Sequence, residues 1–116
     1  MARILINEPH PEVGLVLTRM VLRLGHEPVL RTEMVPGYLD GVELMMIEPA
    51  APLGALMAKA SRRLNPSVPI ICASVAAPAQ IGVPFSAWLL KPFTQAQLAH
   101  AIEQALAQSD VFPSAA

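Results

Sequence analysis

Short apolar runs alternate along this chain with segments of helical periodicity, and this alternation restricts the possible folds more than any other feature. Between the runs, apolar side chains recur every three or four residues, as they do on the buried face of an amphipathic helix. Apolar strands alternating with such helices are typical of a parallel sheet covered on both faces. The chain is therefore predicted to form one α/β domain of three layers. The predicted strands are Arg3 to Ile6, Pro28 to Leu30, Leu44 to Ile47, Val68 to Ala73 and Trp88 to Leu90.

Three helices are predicted between and after these strands, each from a stripe of apolar residues. The first stripe ends before Gly25, a typical helix stop, and the third begins with Thr94 and Gln97, spaced as in a capping box. Two other connections, 33–41 and 75–86, contain prolines and glycines and have room for at most one turn of helix. The stripes are Val13, Val16, Leu17, Met20, Val21 and Leu24; Leu53, Leu56, Met57, Ala60 and Leu64; and Leu98, Ala101, Ile102 and Ala105.

Composition excludes several classes of function. The 116 residues are 53% hydrophobic and 15% charged, and the net charge is -1 with no basic run, so neither nucleic acid nor a membrane is expected as a partner. No apolar stretch is long enough to span a bilayer, and the start of the chain lacks a cleavable signal, so a cytoplasmic protein is predicted. The single cysteine, Cys72, lies in an apolar run and is expected to be a buried, inert thiol.

Charged and hydroxyl side chains follow the predicted strands at their carboxyl ends. Glu8, Glu48, Ser74 and Lys91 come at or directly after the first, third, fourth and fifth strands. Ligand sites of parallel sheets lie beyond these ends, so these side chains are expected to meet there. The sequence contains no glycine-rich phosphate loop, zinc-ligand spacing or nucleophile elbow, and we expect no enzymatic activity.

The order of several residues carries a resemblance to a known family. Pro11 and Gly25 set a register in which Pro52 follows Glu48 by four residues and Lys91-Pro92-Phe93 follows the last strand. In this order the residues resemble the receiver domain of bacterial two-component response regulators. The resemblance implies a CheY-like, flavodoxin-like fold with a five-stranded parallel sheet in the order 2-1-3-4-5. It also implies a cis Lys91–Pro92 bond. The prolines and glycines of 33–41 and 75–86 predict that the second and fourth helices of such a fold are short or absent here. The resemblance covers residues 1–108 as a receiver-like domain and leaves 109–116 as a flexible tail.

The resemblance assigns roles to several residues and also shows where this chain departs from the family. Glu48 stands where the family has its phosphoacceptor aspartate, and Ser74 and Lys91 stand where the family contacts the phosphoryl group. Glu8 takes the first position of the family's acidic pair, and Pro9, which has no side-chain oxygen, takes the second. A second register, which requires an insertion before Gly25, would place Asn7 and Glu8 in the pair.

These departures predict a vestigial phosphorylation site. Magnesium requires near-octahedral oxygen ligands, so Mg²⁺ binding is expected to be weak or absent, with no other cofactor. The extra methylene of Glu48 displaces its carboxylate by about 1.5 Å relative to an aspartate. Glu48 is expected to pair with Lys91, either to imitate a permanently signalled state or simply as a charge pair at a relic site.

Three further residues have two interpretations each. The Ser74 hydroxyl is expected to bond nearby backbone, although the family uses it to contact a phosphoryl group. Trp88 occupies the family's switch position, and it either reports the state of the site or closes the sheet edge with its indole N–H bonded to backbone or water. His10 is expected to be a solvated loop residue, with a titrating role as the alternative.

The prediction from sequence is therefore an atypical receiver domain that signals through protein contacts independently of phosphorylation. The expected partner is a histidine kinase, an output domain or another regulator. A homodimer is possible through the face of the fourth helix region, fifth strand and last helix, with Trp88, Gln95 and residues 75–86 on that face. The alternatives are a conventional phosphoacceptor in a phosphorelay and a pseudo-receiver that binds a small ligand.

Overall fold

The structure, a computed structural model, describes residues 1–111. Its elements, in chain order, are strand β1 (Arg3–Asn7), helix α1 (Pro11–Arg23), strand β2 (Glu27–Leu30), strand β3 (Leu44–Ile47), helix α2 (Pro52–Leu64), strand β4 (Ile70–Ser74), a short 3₁₀ helix (Pro78–Gln80), strand β5 (Ala87–Leu90) and helix α3 (Gln95–Val111). All five predicted strands are present, with ends that differ from the prediction by no more than two residues.

The five strands form one parallel sheet in the order β2-β1-β3-β4-β5, as predicted. The register aligns the carboxyl ends of the central strands, because Asn7 pairs with Ile47 and Ser74 pairs with Leu90. The residues that follow these strands therefore emerge side by side at one edge of the sheet.

Two apolar clusters, one on each face of the sheet, make the domain three-layered. On one face, α1 and α3 pack against Ile4, Ile6 and Met46 of the sheet. On the other face, α2 packs against Leu5 and Met45, among others. Alternate residues of each strand thus pack into the two opposite cores. Because both faces of the strands are buried, their sequences are continuous apolar runs.

The two connections 33–41 and 75–86, which were predicted to have room for at most one turn of helix, contain almost no helix. Between β2 and β3 the chain makes turns only, and Tyr38 and Val42 are buried against the sheet face that α2 also covers. Between β4 and β5 there is only the 3₁₀ helix at Pro78. Prolines and glycines in both segments account for this, because they disfavour a continuous helical turn.

The prediction for the buried stripe of α2 was partly wrong. Its buried residues are Gly54, Met57, Ala58 and Ser61, whereas Leu56 is 56% exposed and Leu64 is 72% exposed. The cause is a close approach at Gly54, where an added Cβ would lie 2.0 Å from the carbonyl oxygen of Glu48. Only a glycine fits there, so the helix turns its small residues toward the sheet and leaves both leucines outside.

The other helices follow the prediction more closely. In α1, Leu17 and Val21 are buried but Val16 is half-exposed, and Gly25 ends the helix region at φ 85°. All four residues of the α3 stripe are buried. Thr94 and Gln97 form the predicted reciprocal cap, with N–H to side-chain oxygen distances of 2.8 and 3.1 Å.

The predicted domain boundary at residue 108 falls within the last helix and stays a prediction. Helix α3 continues to Val111, past the expected end of the domain at residue 108. The remainder of the predicted tail, 112–116, lies outside the described residues. Among the described residues, no helix has the length and apolar character needed to cross a membrane.

Candidate functional site

Three charged side chains meet at the carboxyl edge of the sheet, where sequence placed them. Glu8 follows β1, Glu48 follows β3 and Lys91 follows β5. The Lys91 ammonium donates hydrogen bonds to Oε1 of Glu8 and to Oε1 of Glu48, the second at 3.0 Å. We call these three residues the strand-end cluster.

The two remaining carboxylate oxygens of the cluster also accept hydrogen bonds from this chain. Oε2 of Glu48 accepts the backbone N–H of Ala50 at 3.1 Å. Oε2 of Glu8 accepts the backbone N–H of His10 at 3.1 Å and lies 2.9 Å from His10 Nδ1. Because an ionised carboxylate only accepts, this last contact requires the imidazole proton on Nδ1. Every carboxylate oxygen in the cluster is thus engaged by a donor of the protein itself.

Burial makes these contacts energetically important. The side chains of Glu8, Glu48 and Lys91 are 1%, 9% and 15% exposed. Burial by itself raises the pKa of Glu8, but the hydrogen bonds from Lys91 and His10 outweigh it, so the pKa of this carboxyl is lowered. Glu8 is therefore held in its ionised form. The cluster thus combines two carboxyl groups with one ammonium group.

His10 was the contact that sequence reasoning missed. Its side chain is 73% exposed, as expected of a loop histidine, yet it contacts the buried Glu8. The signal was its position two residues after Glu8 and directly before α1, where a turn brings its N–H and ring back toward that carboxylate.

The strand β1 supplies a single carboxylate to the site. Pro9 is exposed and has no side-chain oxygen, and the Asn7 amide nitrogen donates to the Arg31 carbonyl oxygen at 2.8 Å. Of the residues considered in the two sequence registers, only Glu8 contacts Lys91. Neither register therefore places a carboxylate pair at the end of β1.

Ser74 and Trp88 are both bonded to backbone near the strand-end cluster. The buried Ser74 hydroxyl accepts the N–H of Ala76 at 3.1 Å, which is a contact with nearby backbone of the kind expected from sequence. The Trp88 indole N–H donates to the Ala76 carbonyl oxygen at 3.0 Å, and the Phe85 ring packs edge-on against Trp88 with centroids 5.1 Å apart. This is the geometry expected if Trp88 closes the sheet edge.

Gln95 does not lie on the predicted contact face. Its side-chain amide donates to the Met20 carbonyl oxygen at 2.8 Å, which ties the start of α3 to α1. The α3 residues that line a groove with Trp88 include Gln97, His100 and Gln104. The helical spacing of three to four residues, counted from Gln97, would have indicated this face.

Cys72 is buried in the sheet and is not a reactive thiol. Burial, together with the negative charge of Glu48, raises the pKa of Cys72 to about 12. The thiolate, which is the nucleophilic form, is therefore absent near neutral pH. This agrees with the sequence prediction of an inert thiol.

An apolar cavity of about 340 Å³ lies beside the strand-end cluster, between α1 and the segment that follows β5. Sequence reasoning did not predict it. Its walls include Val16 and Met20 of α1, and Val75, Phe93 and the side chain of Lys91. Val16, which lines the cavity, is half-exposed.

The strand-end cluster does not fit the Mg²⁺ that the resemblance implied. Mg²⁺ needs several oxygen ligands in octahedral geometry, whereas each carboxylate oxygen here already accepts a hydrogen bond and the Lys91 ammonium lies between the two carboxylates. Within the described part of the chain, no group of three or more His, Cys, Asp or Glu residues is arranged to hold a metal ion.

Comparison with known proteins identifies the fold. No family model matches the chain, and no curated protein matches its sequence. Among solved structures, a response regulator receiver protein from Sinorhizobium medicae WSM419 is 25% identical, with a TM-score of 0.78 over 93% of this chain and 96% of that chain. A sensor protein from Polaromonas sp. JS666 is 20% identical, with a TM-score of 0.81 over 93% and 98% of the two chains.

A third similar structure is the response regulator receiver domain protein from Clostridium thermocellum. It is 15% identical and has a TM-score of 0.77 over 96% of this chain and 98% of that chain. The chain therefore has the fold of response-regulator receiver domains, a CheY-like arrangement in which all five strands are parallel.

Proposed function

We propose that this chain is an atypical receiver-type signalling domain that acts through protein contacts and does not accept a phosphoryl group. One observation carries the proposal: all carboxylate oxygens of Glu8 and Glu48 accept hydrogen bonds from Lys91, Ala50 or His10. Hydrogen bonds to a carboxylate lower its nucleophilicity, and the donors that form them compete with a metal ion for the same oxygens.

The identity of the residues supports the same proposal. Pro9 removes one metal ligand, and Glu48 extends its carboxylate farther from the backbone than an aspartate would. Displacements of about 1 Å at a reacting group are enough to cost about a hundredfold in rate. In place of a reaction, Glu48 forms a lasting charge pair with Lys91.

The surface around Trp88 is the proposed contact region. It combines the half-buried Trp88 with the exposed apolar side chains of Phe85 and Leu90. Aromatic and apolar residues of this kind are common at the centres of protein interfaces. A histidine kinase, an output domain, another regulator or a second copy of the chain would each be compatible with this surface. The cytoplasmic location and the absence of enzymatic activity remain predictions.

Treatment with acetyl phosphate or beryllofluoride in the presence of Mg²⁺ tests the proposal. We expect no mass increase from acetyl phosphate and no Mg²⁺-dependent change in Trp88 fluorescence from beryllofluoride. The matched control is the double variant Pro9→Asp, Glu48→Asp, which restores carboxylates of aspartate length. A phosphorylated Glu48 in the wild-type protein would contradict the proposal.

The apolar cavity beside Lys91 favours a second candidate function, a pseudo-receiver that binds a small ligand. Its volume of about 340 Å³ lies at the lower end of the range for small-molecule sites. A ligand that binds only the folded state raises the melting temperature. A thermal-shift screen of apolar metabolites should then give a hit in the wild type that is lost in Val16→Trp, which fills the cavity. If no compound distinguishes the two proteins, this candidate fails.

A further inference from the structure

The outer face of α2 is formed by Leu56, Lys59, Arg63 and Leu64. Positions 56, 59 and 63 are three, four and seven residues apart, so they lie on one side of the helix. All four side chains are exposed. The surface therefore combines two cations with two large apolar side chains.

The cations of α2 have no neutralising partner in the part of the chain that the structure describes. From residue 49 to residue 102 the sequence contains no aspartate or glutamate, although Lys59, Arg62 and Arg63 all lie in α2. Within the described residues none of these three side chains forms an ion pair, even though Glu33 and Asp40 lie in the segment that covers the same sheet face. Glu48, just before α2, is engaged by Lys91 and Ala50.

Helix stability alone does not explain this arrangement. Cations in the last turn interact favourably with the helix dipole, which accounts for Arg62 and Arg63. It does not account for Lys59 in the middle of the helix, whose like charge four residues before Arg63 costs a few tenths of a kcal/mol. Nor does it account for Leu56 and Leu64, which would be polar on a face exposed only to water.

The cations and leucines on the outer face of α2 indicate which kind of partner would bind there. Carboxylates bind arginine in a paired geometry and bind lysine as a point charge, while the two leucines offer apolar area to be buried. Nucleic acid is less well suited, because the patch has few cations and the whole chain has a net charge of -1. A membrane is also less well suited, because α2 turns Met57 and its other buried side chains into the core and has only two leucines to insert.

We propose that the outer face of α2 docks an acidic segment of a partner protein, with carboxylates against Lys59 and Arg63 and an apolar side chain against Leu56 and Leu64. This surface lies on the opposite side of the sheet from α1 and α3. The proposal uses none of the residues on which the proposed function rests, which are those of the strand-end cluster and the surface around Trp88.

An array of 12-residue peptides that combine Glu or Asp with Leu or Phe at different spacings tests the proposal, followed by fluorescence anisotropy on the tightest binder. Replacement of both cations, in Lys59→Glu, Arg63→Glu, should weaken this peptide by about tenfold or more, as expected for the loss of two partly exposed charge contacts. Leu56→Gln should also weaken it, and added salt should weaken the wild-type complex. The exposed Arg23→Glu of α1 is the matched control and should bind as the wild type does.

Folding controls and three possible results determine whether the docking proposal stands. Circular dichroism and thermal melting establish that each variant is folded, and Lys59→Gln, Arg63→Gln replaces the double variant if the charge reversal unfolds the protein. The proposal is overturned if no acidic peptide binds, or if the double variant and Arg23→Glu lose affinity equally. It is also overturned if a single-stranded RNA oligomer or phosphatidylglycerol vesicles bind through Lys59 and Arg63 more tightly than any peptide. Phosphorylation of Glu48 would leave these results unchanged, so the two proposals fail separately.

Discussion

The substitution Lys91→Met tests the central contact of the strand-end cluster most directly. It keeps most of the aliphatic length of the side chain but removes the ammonium that binds both Glu8 and Glu48. Two carboxylates, 1% and 9% exposed, would then face each other without a cation. Breaking a buried ion pair by removing one partner costs 3–5 kcal/mol, and the partial exposure of Lys91 and Glu48 places the expected loss at the lower end, about 3 kcal/mol.

The stability lost in Lys91→Met should depend on pH, and the pKa of Glu8 sets the direction of that dependence. In the wild type the folded-state pKa of Glu8 is lowered, so this residue contributes stability at pH values above its unfolded-state pKa. That contribution is lost as the pH falls through the folded-state pKa. Without Lys91, burial and the nearby Glu48 should raise the pKa of Glu8 above its unfolded-state value. The variant should then regain stability on acidification, because protonation of Glu8 removes a buried charge.

Urea unfolding at pH 7 and at pH 4.5 measures both effects. The difference between wild type and Lys91→Met should be about 3 kcal/mol at pH 7 and clearly smaller at pH 4.5. Lys59→Met, on the exposed face of α2, is the matched control and should change stability by no more than about 0.5 kcal/mol. A loss below about 1 kcal/mol at pH 7, or an equal loss at both pH values, would refute the reasoning.

Three further predictions follow from the packing of α2 and of the sheet. Gly54→Ala should destabilise the protein by about 1–3 kcal/mol or more in urea unfolding, despite the better helix propensity of alanine, because its Cβ would lie 2.0 Å from the Glu48 carbonyl oxygen. A stable variant would show that α2 does not approach β3 so closely. Leu56→Ala should cost less than about 1 kcal/mol and Met57→Ala about 2–5 kcal/mol, since only Met57 is buried; equal losses would contradict the orientation of α2. Cys72 should not react with a thiol reagent in the native protein at pH 8 but should react in urea, and rapid native labelling would show that its thiol is accessible.

Local patterns in the sequence predicted the strands, the helices and the parallel α/β class, and the family resemblance supplied the strand order. Apolar runs and helical stripes predicted every strand and helix, and the prolines of the 33–41 and 75–86 segments predicted the missing helices. The carboxyl ends of parallel strands share one edge of the sheet, so Glu8, Glu48 and Lys91 were expected to meet. The cap formed by Thr94 and Gln97 is also local, because its two side chains are only three residues apart.

The contacts that define the site depended on the tertiary structure. Glu8 and Lys91 are 83 residues apart in sequence, and only the folded sheet shows that one ammonium binds both carboxylates. The hydrogen bond from the Gln95 side chain to the Met20 carbonyl oxygen joins α3 to α1. Gln95 is therefore directed toward α1 and not toward the contact face on which it was predicted. The side chains on the outer face of α2 also depend on the tertiary structure, because the carbonyl oxygen of Glu48, just after β3, leaves no room for a Cβ at Gly54.

The physical reason for this division is the range of the interactions involved. Periodicity, capping and proline act within about one or two turns of the chain, so the order of residues determines them. The rotation of a helix, the partner of a buried charge and the width of a cavity depend on separations of an ångström between distant segments. These separations are set only when the whole core packs at once.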